Sequence, residues 1–268
     1  MSKSDMYLLK MLQKYSARDL TSYSYQINQL KAALKLWAGN CYISIVDSGS
    51  RAKGTAISIA SDVDFLVSLT SDCNENNGGL ERIYESLYSE LNCRYPKAIK
   101  QNVSVRITLY SASLLFNSLD VDITPARKQS GNTNNHSLWI SKLSTWKQTN
   151  IQIHINEVSE SGRTDEIKLL KIWRELNNLD FPSIYLEYLL INNILKNKPS
   201  RPDNLANNFW HILSELAKPE GNPLLSKIID PANSCNVLSD LLIGSEKGKI
   251  YYAAKNSIEK TNLVDIIW

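Results

Sequence analysis

The chain has 268 residues, of which 43% are hydrophobic and 21% charged, the composition of a globular protein with material for one large or two small domains. Its net charge of +3 excludes a genome-scale nucleic-acid footprint written in the overall balance, so any basic patch has to be local. Cys41, Cys73, Cys93 and Cys235 form no C-x-x-C pair and have only His136, His154 and His211 to join them, which excludes a standard zinc module, gives no disulfide framework and makes a reducing cytoplasm the expected setting.

The first residues, MSKSDMYLLK, carry no apolar signal core, and no run reaches the ~18 apolar residues of a membrane span, so no membrane partner is expected. Residues 5 to 38 read as helix in two pieces, broken near Ser16 to Asp19. In the second piece Ile27, Leu30, Leu34 and Trp37 recur at helical spacing as a packing seam, and Gly39 stops it. A strand from Tyr42 to Val46 leads into a Gly-Ser turn, and a further strand runs from Asp62 to Leu69. Residues 71 to 79 are a polar loop, followed by a helix from Leu80 to Asn92. Strands at 102–110 and 119–124 complete a small mixed sheet, with KQSGNTNNHS as the loop beyond it. TNIQIHINEV alternates Ile151, Ile153 and Ile155 as a half-buried strand does.

From Thr164 the pattern turns helical. DEIKLLKIWREL spaces Ile167, Leu170 and Trp173 as a helix face, and PSIYLEYLLINNIL opens with proline at a helix-starting position. The reading is therefore α+β, with an α/β half over residues 1–160, including a long N-terminal helix, and a helical half over 161–268.

The chemistry concentrates in VDSGSRAKGTAISIASDVDFLV, residues 46 to 67. Gly49 permits a sharp turn after the strand, and Ser50 with the following backbone N–H groups can hold phosphate oxygens. Asp62 and Asp64 alternate with Val63 and Phe65, so on a strand both carboxylates point to one face, about 6.6 Å apart along it. Magnesium shares its six oxygens between one or two carboxylates and substrate phosphates, which suits a nucleoside triphosphate held between these aspartates and the turn. A third carboxylate, to complete a two-metal site, comes from SLDVDITPAR, where Asp122 is nearest the strand end, with Asp120 in reserve and Pro125 closing the run. A lone Gly-Ser pair is a turn in most proteins and a lone D-x-D is often a solvated edge; the order of turn, paired aspartates and later strand aspartate is what carries specificity.

Four segments extend the pattern: GSRAKGTAISIASDVDFLV, VDITPAR, EIKLLKIWRELNNLDFPSIYLE and IIDPANSCNVLSDLL, spanning residues 49 to 242. In these the chain resembles the bacterial CD-NTases, cyclic-oligonucleotide synthases related to the animal cyclic GMP-AMP synthase and oligoadenylate synthases. The first segment alone points only to the polymerase-β-like nucleotidyltransferase superfamily, and the third and fourth narrow it. The resemblance implies a nucleotidyltransferase core with a mixed sheet and an oligoadenylate-synthase-like helical domain that closes the nucleotide cleft. It implies that Asp62, Asp64 and Asp122 coordinate Mg2+ (or Mn2+), with Gly49 and Ser50 on the triphosphate. Lys171, with Lys168 one turn earlier in reserve, and Ser183 would reach the donor phosphates from a cleft rim; the alternative is that both lysines solvate one helix face. The animal enzymes place a base-stacking tyrosine directly after that serine, and here the position is Ile184, with Tyr185 about 100° further round the helix.

The implied reaction joins nucleoside triphosphates (ATP, GTP or others) into a cyclic second messenger for antiphage (CBASS) defence, read by a separate effector protein, in the cytoplasm. The zinc-bearing DNA grip of the animal sensor has no counterpart in these cysteines and histidines. Two rivals stay open: transfer of a single nucleotide onto tRNA, a protein or a small molecule, and a nucleotide-binding module without catalysis.

Overall fold

A computed structural model describes residues 1–60, 62–111, 118–131 and 133–268. The chain folds as two compact units. A sheet unit comprises Arg18–Ala52 and Asp62–Ile153, and a helical unit is assembled from three stretches, Met1–Ala17, Lys53–Ser61 and His154–Trp268.

In chain order, α1 (Lys3–Lys14) opens on a capping box in which Ser2 and Asp5 satisfy each other's backbone N–H. After a break, α2 (Ser24–Ala38) leads to β1 (Tyr42–Asp47) and β2 (Val63–Leu69). Then come α3 (Gly79–Arg94), β3 (Ile99–Lys100), β4 (Val105–Tyr110) and β5 (Ser118–Lys128). A hairpin of β6 (His136–Ile140) and β7 (Thr145–Thr149) precedes α4 (Ile151–Glu160). The remainder is α5 (Thr164–Leu176), α6 (Ser183–Leu189), α7 (Leu205–Leu216), β8 (Ile229–Asp230), β9 (Asn233–Val237) and α8 (Gly244–Ile258).

The expected mixed sheet is the one observed. Its order is β1-β2-β5-β4-β3, with β6 pairing β5 and β7. β2 and β5 run parallel, while β1 and β4 are antiparallel to their neighbours. Alternation sorts the two faces. Val63, Phe65, Val67, Val121, Ile123, Val105 and Ile107 are buried in one apolar cluster with Ile83, Tyr84 and Leu87 of α3 and Leu30 and Leu34 of α2. The residues between them therefore share the opposite face, and these include Asp64, Arg106 and Asp122.

The helical unit has its own core, in which Trp173, Tyr185, Tyr188 and Phe209 are fully buried. Trp173 Nε1 donates to Ser257 Oγ at 2.9 Å, so this large ring enters the core without an orphaned donor. Ile57, from the stretch that follows the Gly-Ser turn, is 1% exposed in the same core. A bridge between Ser16 and Ile57 ties that stretch down, with Ser58 N donating to Tyr15 O at 3.0 Å. Among the described residues no helix is long and apolar enough to cross a membrane.

Four expectations need correction. Residues 151–160 form helix, not strand: the isoleucine alternation is too short to decide, and the buried pair is His154 and Val158, one helical turn apart. Asn150 Oδ1 accepts from Ile153 N at 3.3 Å and starts this helix. Pro125 does not end β5, which continues to Lys128; the β4 ladder stops at Ile123, so Pro125 has only β2 as ladder partner and its missing N–H is tolerated. The loop after β5 is cut short by the β6–β7 hairpin, whose first residue is His136. Finally, Cys41 and Cys73 form a disulfide with Cα atoms 5.5 Å apart. Their separation of 32 residues gives no sequence signal, but β1 and β2 pair Tyr42 with Leu69, which brings the two cysteines to the same end of the ladder.

Candidate active site

β2 and β5 are adjacent and parallel, and Asp64 is the register partner of Asp122. Neighbouring strands lie about 4.8 Å apart, so these two carboxylates stand side by side on the face opposite the α3-packed core. Asp62, two residues before Asp64, precedes the first residue of β2 and follows the same alternation. Asp120, the reserve candidate, is occupied otherwise: Thr108 Oγ1 donates to its Oδ1 at 2.7 Å across the β4–β5 pair.

The Gly-Ser turn meets this row directly. Ser48 N donates to Asp64 O at 3.0 Å. A Cβ on Gly49 would fall 1.7 Å from Asp64 Oδ2 and 2.7 Å from Asp64 Cβ. Glycine is needed here for close approach rather than for a left-handed backbone, since Gly49 is not among the glycines with positive φ. The turn and one of the paired aspartates are thereby packed as a single unit. Arg51, two residues on, donates to Arg18 O, and burial lowers its pKa against the opposing pull of Asp47.

The residue that sequence reasoning missed is Arg106. It lies opposite Asp122 in the β4–β5 register. Its Nε donates to Asp122 Oδ1 and its Nη2 to Asp122 Oδ2, both at 2.8 Å, while Nη2 also donates to Asp62 Oδ2 at 2.6 Å. The signal was in the sequence: VRITLY alternates, so Arg106 and Thr108 belong on one face while Val105, Ile107 and Leu109 enter the core. The hydrogen bonds to Asp122 raise the Arg106 pKa further above its already high ordinary value, so it is a permanent cation. Burial pushes the Asp62 carboxyl up; Arg106 opposes that shift, and the nearby Asp122 and Asp120 charges add to it.

The donor set fits a hard divalent cation in kind, since carboxylate oxygens from Asp62, Asp64 and Asp122 share one face. Among the described residues, however, no group of three or more acidic, His or Cys side chains is drawn together closely enough to hold a metal ion. Arg106 takes the place between Asp62 and Asp122.

In the helical unit, Lys171 departs from the expected rim position. It is 2% exposed, and its Nζ donates to Thr55 Oγ1 and Glu187 Oε1, each at 2.9 Å. Lys53 Nζ reaches the other carboxylate oxygen of Glu187 at 2.8 Å. Burial would raise Glu187, but the two ammonium groups outweigh it and hold the carboxyl down at about 2. Burial lowers the Lys171 pKa, opposed by Glu187. Lys171 therefore does not solvate a helix face. Lys168 does face outward, with its Nζ 3.5 Å from Asp165 and its side chain 27% exposed. Ser183 is the first residue of α6, after Pro182, and its Oγ accepts from Arg174 Nη1 at 3.2 Å. Tyr185 is fully buried, whereas Ile184 is only partly buried against the same core.

No protein-family model matches the chain, and no curated protein matches it. Solved structures do. CdnG of Bradyrhizobium diazoefficiens, a CD-NTase solved with GTP, is similar at TM-score 0.73 and 12% identity over 96% of this chain and 92% of that one. CdnC of E. coli MS115-1, solved with a HORMA partner, is similar at TM-score 0.71 and 20% identity, covering 95% and 89%. The chain has the CD-NTase fold. That fold is shared more widely, because the Cid1 poly(U) polymerase bound to MgATP is similar at TM-score 0.63 and 13% identity over 95% of this chain and 93% of that one. At this coverage the likeness extends over both units.

Proposed function

We propose that the protein is a nucleotidyltransferase that joins nucleoside triphosphates into a cyclic oligonucleotide. The observation that carries this reading is the packing of Gly49 against Asp64 with Asp122 in register beside it, which brings the Gly-Ser turn next to paired carboxylates. The fold shared with CdnG and CdnC supports it, one of these having been solved with GTP.

Asp62, Asp64 and Asp122 would hold Mg2+ or Mn2+, whose chemistry is to polarise the α-phosphate and lower the pKa of the attacking hydroxyl. A ribose hydroxyl attacks the α-phosphorus, the bond to the bridging oxygen breaks, pyrophosphate leaves and the hydroxyl proton passes to solvent. A second, intramolecular attack closes the ring. Ser50 and the backbone after Gly49 would hold the triphosphate through N–H and O–H donors. Of the lysines that the resemblance offers, Lys171 is held in a buried pair with Glu187 and Lys168 in a partly exposed one with Asp165. The product would be read by a separate effector.

A second reading, transfer of single nucleotides onto another acceptor, is favoured by the likeness to poly(U) polymerase. The test is to incubate the purified protein with Mg2+ or Mn2+ and labelled triphosphates, treat with phosphatase and identify the product by mass spectrometry. The cyclase reading requires a phosphatase-resistant species that retains α-phosphate label and is lost in Asp64→Asn. Label found only on added RNA or protein would establish the second reading in its place.

A further inference from the structure

We propose that Arg106 is a positioning residue of the carboxylate face, a built-in cation that fixes Asp122 and must release Asp62 before a divalent cation can take both carboxylates. The proposal rests on the reading of Asp62, Asp64 and Asp122 as metal ligands.

The contacts of Arg106 differ in kind. With Asp122 it makes two parallel hydrogen bonds, Nε to Oδ1 and Nη2 to Oδ2, each at 2.8 Å, which set both the position and the plane of that carboxylate. With Asp62 it makes one, from an Nη2 already engaged with Asp122. Asp62 can therefore be given up while the fork on Asp122 stays closed. A carboxylate has about four lone-pair sites, so an Asp122 that accepts two hydrogen bonds from Arg106 and one from Gln101 keeps acceptor capacity for a cation.

The guanidinium edge that faces Asp122 has one further neighbour. Gln101 is in the turn between β3 and β4. With its amide oriented to satisfy both neighbours, it accepts from Arg106 Nε at 2.9 Å and donates to Asp122 Oδ2 at 3.2 Å. The backbone of that turn is pinned in turn: Tyr84 OH donates to Gln101 O at 2.6 Å and Ser141 Oγ donates to the same oxygen at 2.9 Å. Tyr84 belongs to the core of the sheet unit and is fully buried. Arg106 is thus held in one arrangement by the sheet register, by Gln101 and by two carboxylates. A lysine would supply the charge but not the planar fork.

Two consequences follow. A fixed positive charge at this spot opposes a second cation, so the metal-free face is stable at the expense of metal affinity. The same charge orders Asp122, so turnover depends on it. Removal of Arg106 should therefore move metal binding and turnover in opposite directions, which loss of a purely structural contact would not do.

The experiment titrates Mn2+ by electron paramagnetic resonance without nucleotide, in the wild type, Arg106→Gln, Arg106→Lys and Asp64→Asn. Turnover is measured on the same preparations, and folding is checked by circular dichroism. Arg106→Gln should bind Mn2+ at least about tenfold more tightly, with kcat lowered at least about tenfold and KM within about threefold. Arg106→Lys, which keeps the charge, should bind Mn2+ within about threefold of wild type yet still lose kcat. Folded Arg106→Gln with unchanged or weaker Mn2+ binding, or with wild-type kcat, overturns the proposal. If Arg106→Gln does not fold, a wild-type kcat in Arg106→Lys overturns it. Asp64→Asn tests the underlying reading separately: Mn2+ binding equal to wild type there removes the metal site itself, whatever Arg106 does.

Discussion

The sharpest perturbation of the site is a single methyl group. In Gly49→Ala the new Cβ would lie 1.7 Å from Asp64 Oδ2, 2.3 Å from its Cγ and 2.7 Å from its Cβ. Rotation of the carboxylate relieves the first two contacts but not the third, because a Cβ is fixed to the backbone. Either the turn or the start of β2 has to move. Overpacking of this kind costs about 1–3 kcal/mol, and a displacement near 1 Å at a reacting centre costs on the order of a hundredfold in rate. Thermal unfolding followed by circular dichroism should show a loss of several degrees with the fold retained, while turnover of labelled triphosphate falls about a hundredfold. Gly248→Ala is the control. This glycine lies in α8, and an added methyl there would meet nothing within 4 Å, so alanine should be neutral or stabilise by about 1 kcal/mol. Wild-type stability and turnover in Gly49→Ala would refute the argument that the turn and Asp64 are packed as one unit.

Glu187→Gln should cost on the order of 3–5 kcal/mol in urea denaturation, because it leaves the ammonium groups of Lys53 and Lys171 buried without a counter-charge; a loss below about 1 kcal/mol would show that water reaches them. The same carboxylate gives a pH dependence with a definite sign. Its folded pKa of about 2 lies below the ordinary glutamate value of 4.5, so its contribution is present above about 4.5 and is lost as pH falls towards about 2. Glu187→Gln should therefore show a shallower loss of stability than wild type across that window, and parallel curves would contradict the assignment. Protein kept free of reductant should titrate two thiols when native, Cys93 and Cys235, since Cys41 and Cys73 are joined. Reduction should lower stability by about 2–4 kcal/mol, the range for a loop of this length, and four native thiols would refute the pairing.

The sequence by itself determined which residues face which way. Alternation in VDFLV, VRITLY and LDVDI assigns one set of side chains to a core and the other to the opposite face, because the strand period is two whatever the neighbours are. It also set the order of turn, D-x-D and later aspartate, and with it the α+β reading and the aspartate candidates. Short apolar runs carry less information. IQIHINEV satisfies both periods, and only the burial of His154 and Val158 one turn apart decides for helix. What the tertiary structure decided are the pairings between distant residues: Asp64 beside Asp122, Arg106 across from Asp122, Cys41 against Cys73, and Glu187 between Lys53 and Lys171. Those depend on strand register and helix packing, which no local window records. The environment of Lys171 follows from the same cause. Its helical position was legible, but its burial was not, because a lysine enters a core only where another part of the chain supplies the opposite charge, here a glutamate sixteen residues away.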